Sequence, residues 1–160
     1  MRPLPVHALA ADTPAVTHHT DNNVPAISTA VAEAEEPMRA YVLEDDPHIA
    51  ALEADLLREL GFNVVSCSRI VELGDLMALA LPHLLVVDVM LPDGDGGDIT
   101  ELLRDVWPGI PVVIVSAAAR DRLADLVDLG PVLPKPFDLD SFRDAVLDAV
   151  DAPRQLSSVS

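Results

Sequence analysis

The sequence predicts an α/β fold in which a parallel sheet carries helices on both faces. Three observations predict it. Short apolar runs alternate five times with amphipathic stretches between Arg39 and Val150, the pattern of repeated strand–helix units. Leu84–Val87 is an unbroken apolar run, and Ile110–Val115 is interrupted only by Pro111, as expected of strands buried on both faces. Prolines and glycines fall where segments begin or end, at Pro47, Gly61, Pro82 and Gly130, and these residues start or stop helices for steric reasons. Right-handed crossovers leave few topologies open to such a chain.

Taken in order, residues 1–37 sustain neither helical nor strand periodicity and are rich in Pro, Ala and Thr. A segment of that composition buries too little apolar surface to offset its ordering entropy, so a disordered N-terminal extension is expected. Met38 directly precedes the first strand, so the extension is expected to be dispensable for folding. His18-His19 lacks a Cys or carboxylate at ligand spacing and reads as a solvated pair. The domain proper is expected over 38–151. Arg39–Leu43 is the first strand and ends in Glu44-Asp45-Asp46. Pro47 suits the first helical position, and Ile49, Leu52, Leu56, Leu57 and Leu60 give that helix an apolar face up to Gly61. Phe62–Cys67 is the second strand. Ser68 is the expected cap of a helix from Arg69 to about Leu81. Leu84–Asp88 is the third strand, followed by an acidic, glycine-rich turn. Ile99, Leu102, Leu103 and Val106 mark a third helix, ended by Trp107-Pro108-Gly109. Ile110–Val115 runs into Ser116 as the fourth strand, and Arg120–Leu129 is a short fourth helix. Val132-Leu133 is a brief fifth strand. Asp138 caps a last helix with the apolar face Phe142, Ala145, Val146 and Ala149, and 152–160 reads as a flexible tail.

Composition narrows the function. A net charge of −17 repels nucleic-acid phosphate and anionic membranes. No apolar run approaches the ~18 residues of a membrane span. The one cysteine, Cys67, forms no internal disulfide, which fits a reducing cytoplasm. The N-terminal Ala/Leu patch is broken by Pro3 and Pro5 and does not read as a signal peptide.

In a doubly wound sheet the carboxyl ends of the strands open on one edge, where such folds place their chemistry. Those ends offer Glu44, Asp45 and Asp46, then Asp88, then Ser116, then Lys135. Carboxylates crowded together raise one another's pKa unless a cation joins them, and a hard divalent ion such as Mg²⁺ suits oxygen donors. Of ten basic residues nine are arginine, and the single lysine stands between two prolines at a strand end. That placement indicates a need for a compact ammonium. A metal, a carboxylate nucleophile, a hydroxyl donor and an ammonium are the parts for phosphoryl transfer to an aspartate.

Val42-Leu43-Glu44-Asp45-Asp46-Pro47, Asp88 with Met90-Leu91-Pro92 and Asp95-Gly96, Ser116-Ala117 and Lys135-Pro136-Phe137, in that order, resemble the receiver domain of two-component response regulators. The likeness covers about Met38 to Val150. It implies a flavodoxin-like five-stranded sheet in the order 2-1-3-4-5 with five helices. It implies that Asp88 accepts a phosphoryl group from a histidine kinase or histidine phosphotransfer protein. It further implies that Glu44, Asp45, Asp88 and the carbonyl of Met90 hold Mg²⁺, that Ser116 is the hydroxyl switch residue, and that Lys135 contacts the phosphoryl oxygens. Such a protein catalyses its own phosphorylation and slow dephosphorylation but acts mainly in signalling. By the same analogy Met90 and Ala118 flank the phosphoryl group, and neither orients an attacking water, so slow self-hydrolysis is expected. Val132 takes the place of the family's aromatic switch residue, and Ser116 to Lys135 is short. The usual coupled serine–aromatic movement is therefore not expected in its usual form.

No recognisable output domain follows the last helix, so a stand-alone regulator working through a separate protein target, with room for a homodimer, is expected. A degenerate receiver that binds partners without phosphorylation is the alternative. Asp93-Gly94-Asp95-Gly96-Gly97-Asp98 makes a poor calcium loop, since position six is Asp98 and position twelve is Arg104. A phosphatase of the haloacid dehalogenase type places a second Asp two residues after its nucleophile, and here that residue is Met90.

Overall fold

A computed structural model describes residues 36–152. The N-terminal extension expected over 1–37, apart from its last two residues, the His18-His19 pair and all but the first residue of the expected tail lie outside the described residues. The elements are β1 (Arg39–Leu43), α1 (Pro47–Glu59), β2 (Asn63–Cys67), α2 (Ile70–Leu79), β3 (Leu84–Val87), β4 (Met90–Leu91), β5 (Gly94–Asp95), α3 (Gly96–Val106), β6 (Val112–Ser116), α4 (Arg120–Ala124), β7 (Val132–Pro134) and α5 (Leu139–Asp151). Five strands form one parallel sheet in the order β2-β1-β3-β6-β7. With the short β4–β5 ribbon set aside, this is the expected 2-1-3-4-5 order.

Strand alternation splits the core into two layers. Ala40, Val42, Leu84, Val86, Val113 and Val115 point to the side covered by α1 and α5, where Leu57, Phe142 and Val146 are fully buried. Tyr41, Leu43, Leu85, Val87, Val112 and Ile114 point to the side covered by Leu73 and Met77 of α2 and by Leu123 and Leu126. Both faces of β3 are buried, which is why its sequence is apolar without alternation. Each fully buried Leu, Phe or Val contributes about 1.5–3 kcal/mol. Cys67 is buried and free, and burial pushes its thiol up to about 12. Among the described residues no helix is long and apolar enough to cross a membrane.

Four local expectations are corrected. Ser68 does not cap α2, because its N–H and hydroxyl both turn to Glu72; the orphan N–H groups of Ile70 and Val71 instead donate to the Asp93 carboxylate. On α1, Leu52 is 42% exposed while Glu53 is buried among Ala50, Ala54 and Leu57. Leu102 and Val106 of α3 face solvent, and Ile99 and Leu103 pack inward. α4 ends at Ala124, not Leu129. Beyond it Leu126 and Leu129 donate main-chain bonds three residues back, to Leu123 and Leu126. That three-residue period matches the leucine spacing, and the tight turn buries Leu126 fully and Leu129 in part.

Part of the acidic turn is also more ordered than a loop, forming the antiparallel β4–β5 ribbon with Met90 opposite Asp95. The last helix follows its sequence closely: the Asp138 carboxylate accepts from the Ser141 N–H, and Phe142, Ala145, Val146 and Ala149 are its buried face.

Candidate functional site

The sheet register brings the strand ends together. Leu43 lies opposite Val87, so the next residues, Glu44 and Asp88, leave neighbouring strands side by side. The Asp88 N–H donates to the Leu43 carbonyl at 2.9 Å. Ser116 lies opposite Pro134, and the Lys135 N–H donates to the Ser116 carbonyl at 2.9 Å. The lysine is thus delivered to the same edge by β7. The Lys135–Pro136 peptide is cis.

The Lys135 ammonium bridges two buried carboxylates. Its Nζ donates to Glu44 Oε2 at 2.6 Å and to Asp88 Oδ2 at 2.9 Å. Glu44 is 3% exposed and Asp88 6% exposed, so both rely on this one cation. Burial pulls the lysine's pKa down, but its bonds to Glu44 and Asp88 outweigh that and hold it above its ordinary value. Glu44 remains raised above the usual carboxylate range: burial outweighs the bonds from Lys135 and from the Asp46 N–H. One ammonium shared by two carboxylates does not replace the water each has lost.

Asp45 is exposed at the rim. Oxygens of Glu44, Asp45 and Asp88 lie within 4.8 Å of one another. An all-oxygen donor set with excess negative charge, open at one side, fits a hard divalent cation. Asp46 belongs elsewhere: its carboxylate caps α1, accepting from the His48 and Ile49 N–H groups, which lower its pKa.

Met90 flanks the site through its main chain, its N–H donating to Asp88 Oδ1 at 3.0 Å, while its side chain is 60% exposed. Ser116 is fully buried, and its Oγ accepts from the Ala118 N–H at 3.2 Å. Val132 stands apart from this group. It starts β7 opposite Ile114 and packs half-buried on the α2 side of the sheet. The structure therefore assembles Glu44, Asp45, Asp88, Lys135 and the Met90 main chain, sets Ser116 beside Lys135 along the chain edge, and leaves Val132 in the packing.

Several roles escaped the sequence reading, which quoted Asp95-Gly96 only as part of a motif. A Cβ on Gly96 would come within 1.9 Å of the Asp88 carbonyl, so only glycine lets α3 start against the Asp88 main chain. The Gly96 N–H donates to the Val89 carbonyl at 2.8 Å. Asp95 caps α3 and also receives the Arg122 guanidinium. Burial alone would raise the Asp95 pKa, but Arg122 and the N–H groups of Gly97 and Asp98 hold it below the usual range. Glu53 is the one buried side chain with an unpartnered oxygen, Oε1, among the described residues. The Gly after Asp95 was a visible signal. An Asp–Arg contact 27 residues apart was not.

A family model described as response regulator receiver domain matches residues 40–147. The probable transcriptional regulatory protein TcrX of Mycobacterium tuberculosis is 32% identical over 108 residues, covering 66% of this chain and 46% of TcrX. The chain spans about half the length of the curated relatives it matches. Among solved structures, the non-phosphorylated HemR receiver domain of Leptospira biflexa is 27% identical at a TM-score of 0.63, covering 73% of this chain and 97% of that one. The response regulator TrrA of Thermotoga maritima, in complex with Mg²⁺-BeF, shares the fold at 20% identity and a TM-score of 0.62, covering 69% of this chain and 96% of that one.

Proposed function

Since this chain belongs to the response regulator receiver domain family, we propose that Asp88 is its phosphoacceptor and that the donor is a phosphohistidine of a histidine kinase or histidine phosphotransfer protein. The observation that carries the reading is the Lys135 ammonium held between Asp88 and Glu44 on the sheet edge that also presents Asp45.

In the transfer, one Asp88 carboxylate oxygen forms a bond to phosphorus as the donor's P–N bond breaks. The imidazole leaves with the bonding electron pair. Lys135, already bonded to Asp88 Oδ2, is placed to neutralise a phosphoryl oxygen as charge builds on it. The Met90 N–H orients the carboxylate through Oδ1. Ser116 offers a hydroxyl donor at the end of β6. Glu44, Asp45, Asp88 and the Met90 carbonyl are the residues that would hold Mg²⁺. When bound, that ion supplies positive charge to the equatorial phosphoryl oxygens.

Phosphorylation alters the protein contacts of this domain, and the net charge of −17 argues against nucleic acid or anionic membrane as what it binds. The free thiol of Cys67 supports reading a reducing cytoplasm as the place where the domain works. Val132, half-buried against the α2 side of the sheet and not aromatic, favours the second reading, an interaction module that works without phosphate. Incubation of the full chain with MgCl₂ and acetyl phosphate, followed by intact mass, separates the two. A single phosphoryl adduct supports the phosphoacceptor; an unmodified, folded protein supports the module.

A further inference from the structure

The β4–β5 ribbon touches the candidate phosphoacceptor at one end and is tied down at two others. At the pocket, the Met90 N–H donates to Asp88 Oδ1 at 3.0 Å. At the turn, Asp93 accepts from the first two N–H groups of α2, Ile70 at 3.0 Å and Val71 at 3.3 Å. At the far strand, Asp95, which lies opposite Met90, receives Arg122 of α4 through Nη2 at 2.8 Å and Nε at 3.3 Å.

The Arg122 contact is a two-point clamp. The same Nη2 reaches Asp98 Oδ1 at 2.7 Å. Asp95 simultaneously accepts from the Gly97 N–H at 2.7 Å and the Asp98 N–H at 3.1 Å. A Cβ on Gly97 would lie 2.7 Å from Arg122 Nη2 and 2.8 Å from Leu126, so the Arg122 and Leu126 side chains pack directly on the bare α3 backbone there. Bidentate guanidinium–carboxylate pairs fix geometry in a way that a flexible ammonium does not. The Arg122 side chain is 29% exposed and Asp95 36% exposed, which reduces the screening that weakens surface pairs.

α4 is thereby joined to the pocket by two routes. One is the chain itself, through Ala119 to Ala118, whose N–H is held by Ser116 Oγ. The other runs Arg122, Asp95, the Met90–Asp95 strand pair, Met90 N–H and the Asp88 carboxylate. Neither route passes through Val132.

We propose that Arg122 is a positioning residue of the phosphoacceptor site: acting through Asp95, it holds the Met90 main chain against Asp88, and loading of the pocket is in turn felt at α4. The inference rests on the reading of Asp88 and its neighbours as a cation- and phosphoryl-binding site. Coupling of this kind is reciprocal, so what Arg122 does for the pocket, a pocket ligand does for α4.

The test uses the full chain with Arg122→Met, Arg122→Lys and, as a control, Arg120→Met at an exposed arginine two residues earlier. The probe is MgCl₂, followed by amide NMR at Met90 and Asp95 and by hydrogen exchange over 120–124. Arg122→Met is expected to weaken Mg²⁺ binding about 3- to 10-fold, within the range of about 2- to 30-fold over which residues remote from a ligand tune coupling. It should also erase the Mg²⁺-dependent change in exchange over 120–124. Arg122→Lys, which keeps charge but not the fork, should recover only part of the affinity, and Arg120→Met should match the wild type. A purely structural Arg122 would lower the unfolding midpoint and leave the Mg²⁺ affinity of the folded protein unchanged; that result overturns the inference alone. A wild-type protein that binds no Mg²⁺ overturns both the inference and the site reading beneath it.

Discussion

The Lys135 ammonium lies 2.9 Å from the Asp88 carboxylate, 47 residues away in the chain, and 2.6 Å from Glu44 on the other side. Lys135 pairs with two buried carboxylates and the exposed Asp45 stands beside them, so the pocket holds more negative charge than that one cation balances. Such a site is destabilising when empty and gains from a cationic ligand.

MgCl₂ is therefore expected to raise the unfolding midpoint of the full chain. At a free concentration 100 times Kd the gain corresponds to about 2.7 kcal/mol. Asp45→Asn and Asp88→Asn should each lose most of that gain. Thermal melts with and without the metal check this, and a midpoint insensitive to Mg²⁺ in the wild type counts against the cation site.

Gly96→Ala forces a methyl into the Asp88 carbonyl, which would lie 1.9 Å away. Overpacking against backbone costs about 1–3 kcal/mol or more, and here the main chain of Asp88 must move as well. Gly74→Ala on α2 meets nothing within 4 Å and is expected to stabilise by about 0.5–1 kcal/mol through helix propensity alone. Urea denaturation of the two variants side by side should give shifts of opposite sign.

Glu53 gives the protein a pH dependence of its own. Burial, with help from the charge on Glu44, raises its pKa from 4.5 to about 8 in the folded protein. Between those values the native state binds more protons than the unfolded state. Stability contributed by this group is thus full below pH 4.5, declines as pH rises, and is lost once pH passes about 8. The loss is on the order of a few kcal/mol. Glu53→Gln, which cannot ionise, should remove this decline. The difference between the two pH–stability curves isolates the group, and parallel curves would contradict the assignment.

The phosphorylated form is expected to be long-lived. Met90, 60% exposed beside Asp88, and Ala118 offer no group that orients an attacking water. Label lost from purified protein in MgCl₂ should disappear slowly, and Met90→Asn should hasten it. Equal rates in the two proteins would show that position 90 does not control hydrolysis.

Much of this was legible in the sequence because local and global signals agree. Leu84–Val87 reads as a doubly buried strand and is one, and Asp138 with Phe142, Ala145, Val146 and Ala149 gives the last helix its cap and face. The grouping of Glu44, Asp45, Asp88 and Lys135 follows from strand ends sharing one sheet edge. What could not be read depends on contacts between elements. Ser68 looks like a cap, but Asp93 from another loop has the geometry. Glu53 shares the helical face of Ala50, Ala54 and Leu57, a place a carboxylate seldom takes, so α1 buries Glu53 and turns Leu52 outward. The Arg122–Asp95 clamp joins α4 to a ribbon too short to have strand periodicity.

The most direct measurement is chemical placement of the phosphoryl group. The full chain is incubated with acetyl phosphate and MgCl₂, treated with borohydride to reduce any acyl phosphate to the corresponding alcohol, and mapped by peptide mass. Homoserine is expected at position 88 alone, with none formed in Asp88→Asn. Homoserine arising at position 45 instead, or adduct formation undiminished in Asp88→Asn, would contradict Asp88 as the phosphoacceptor.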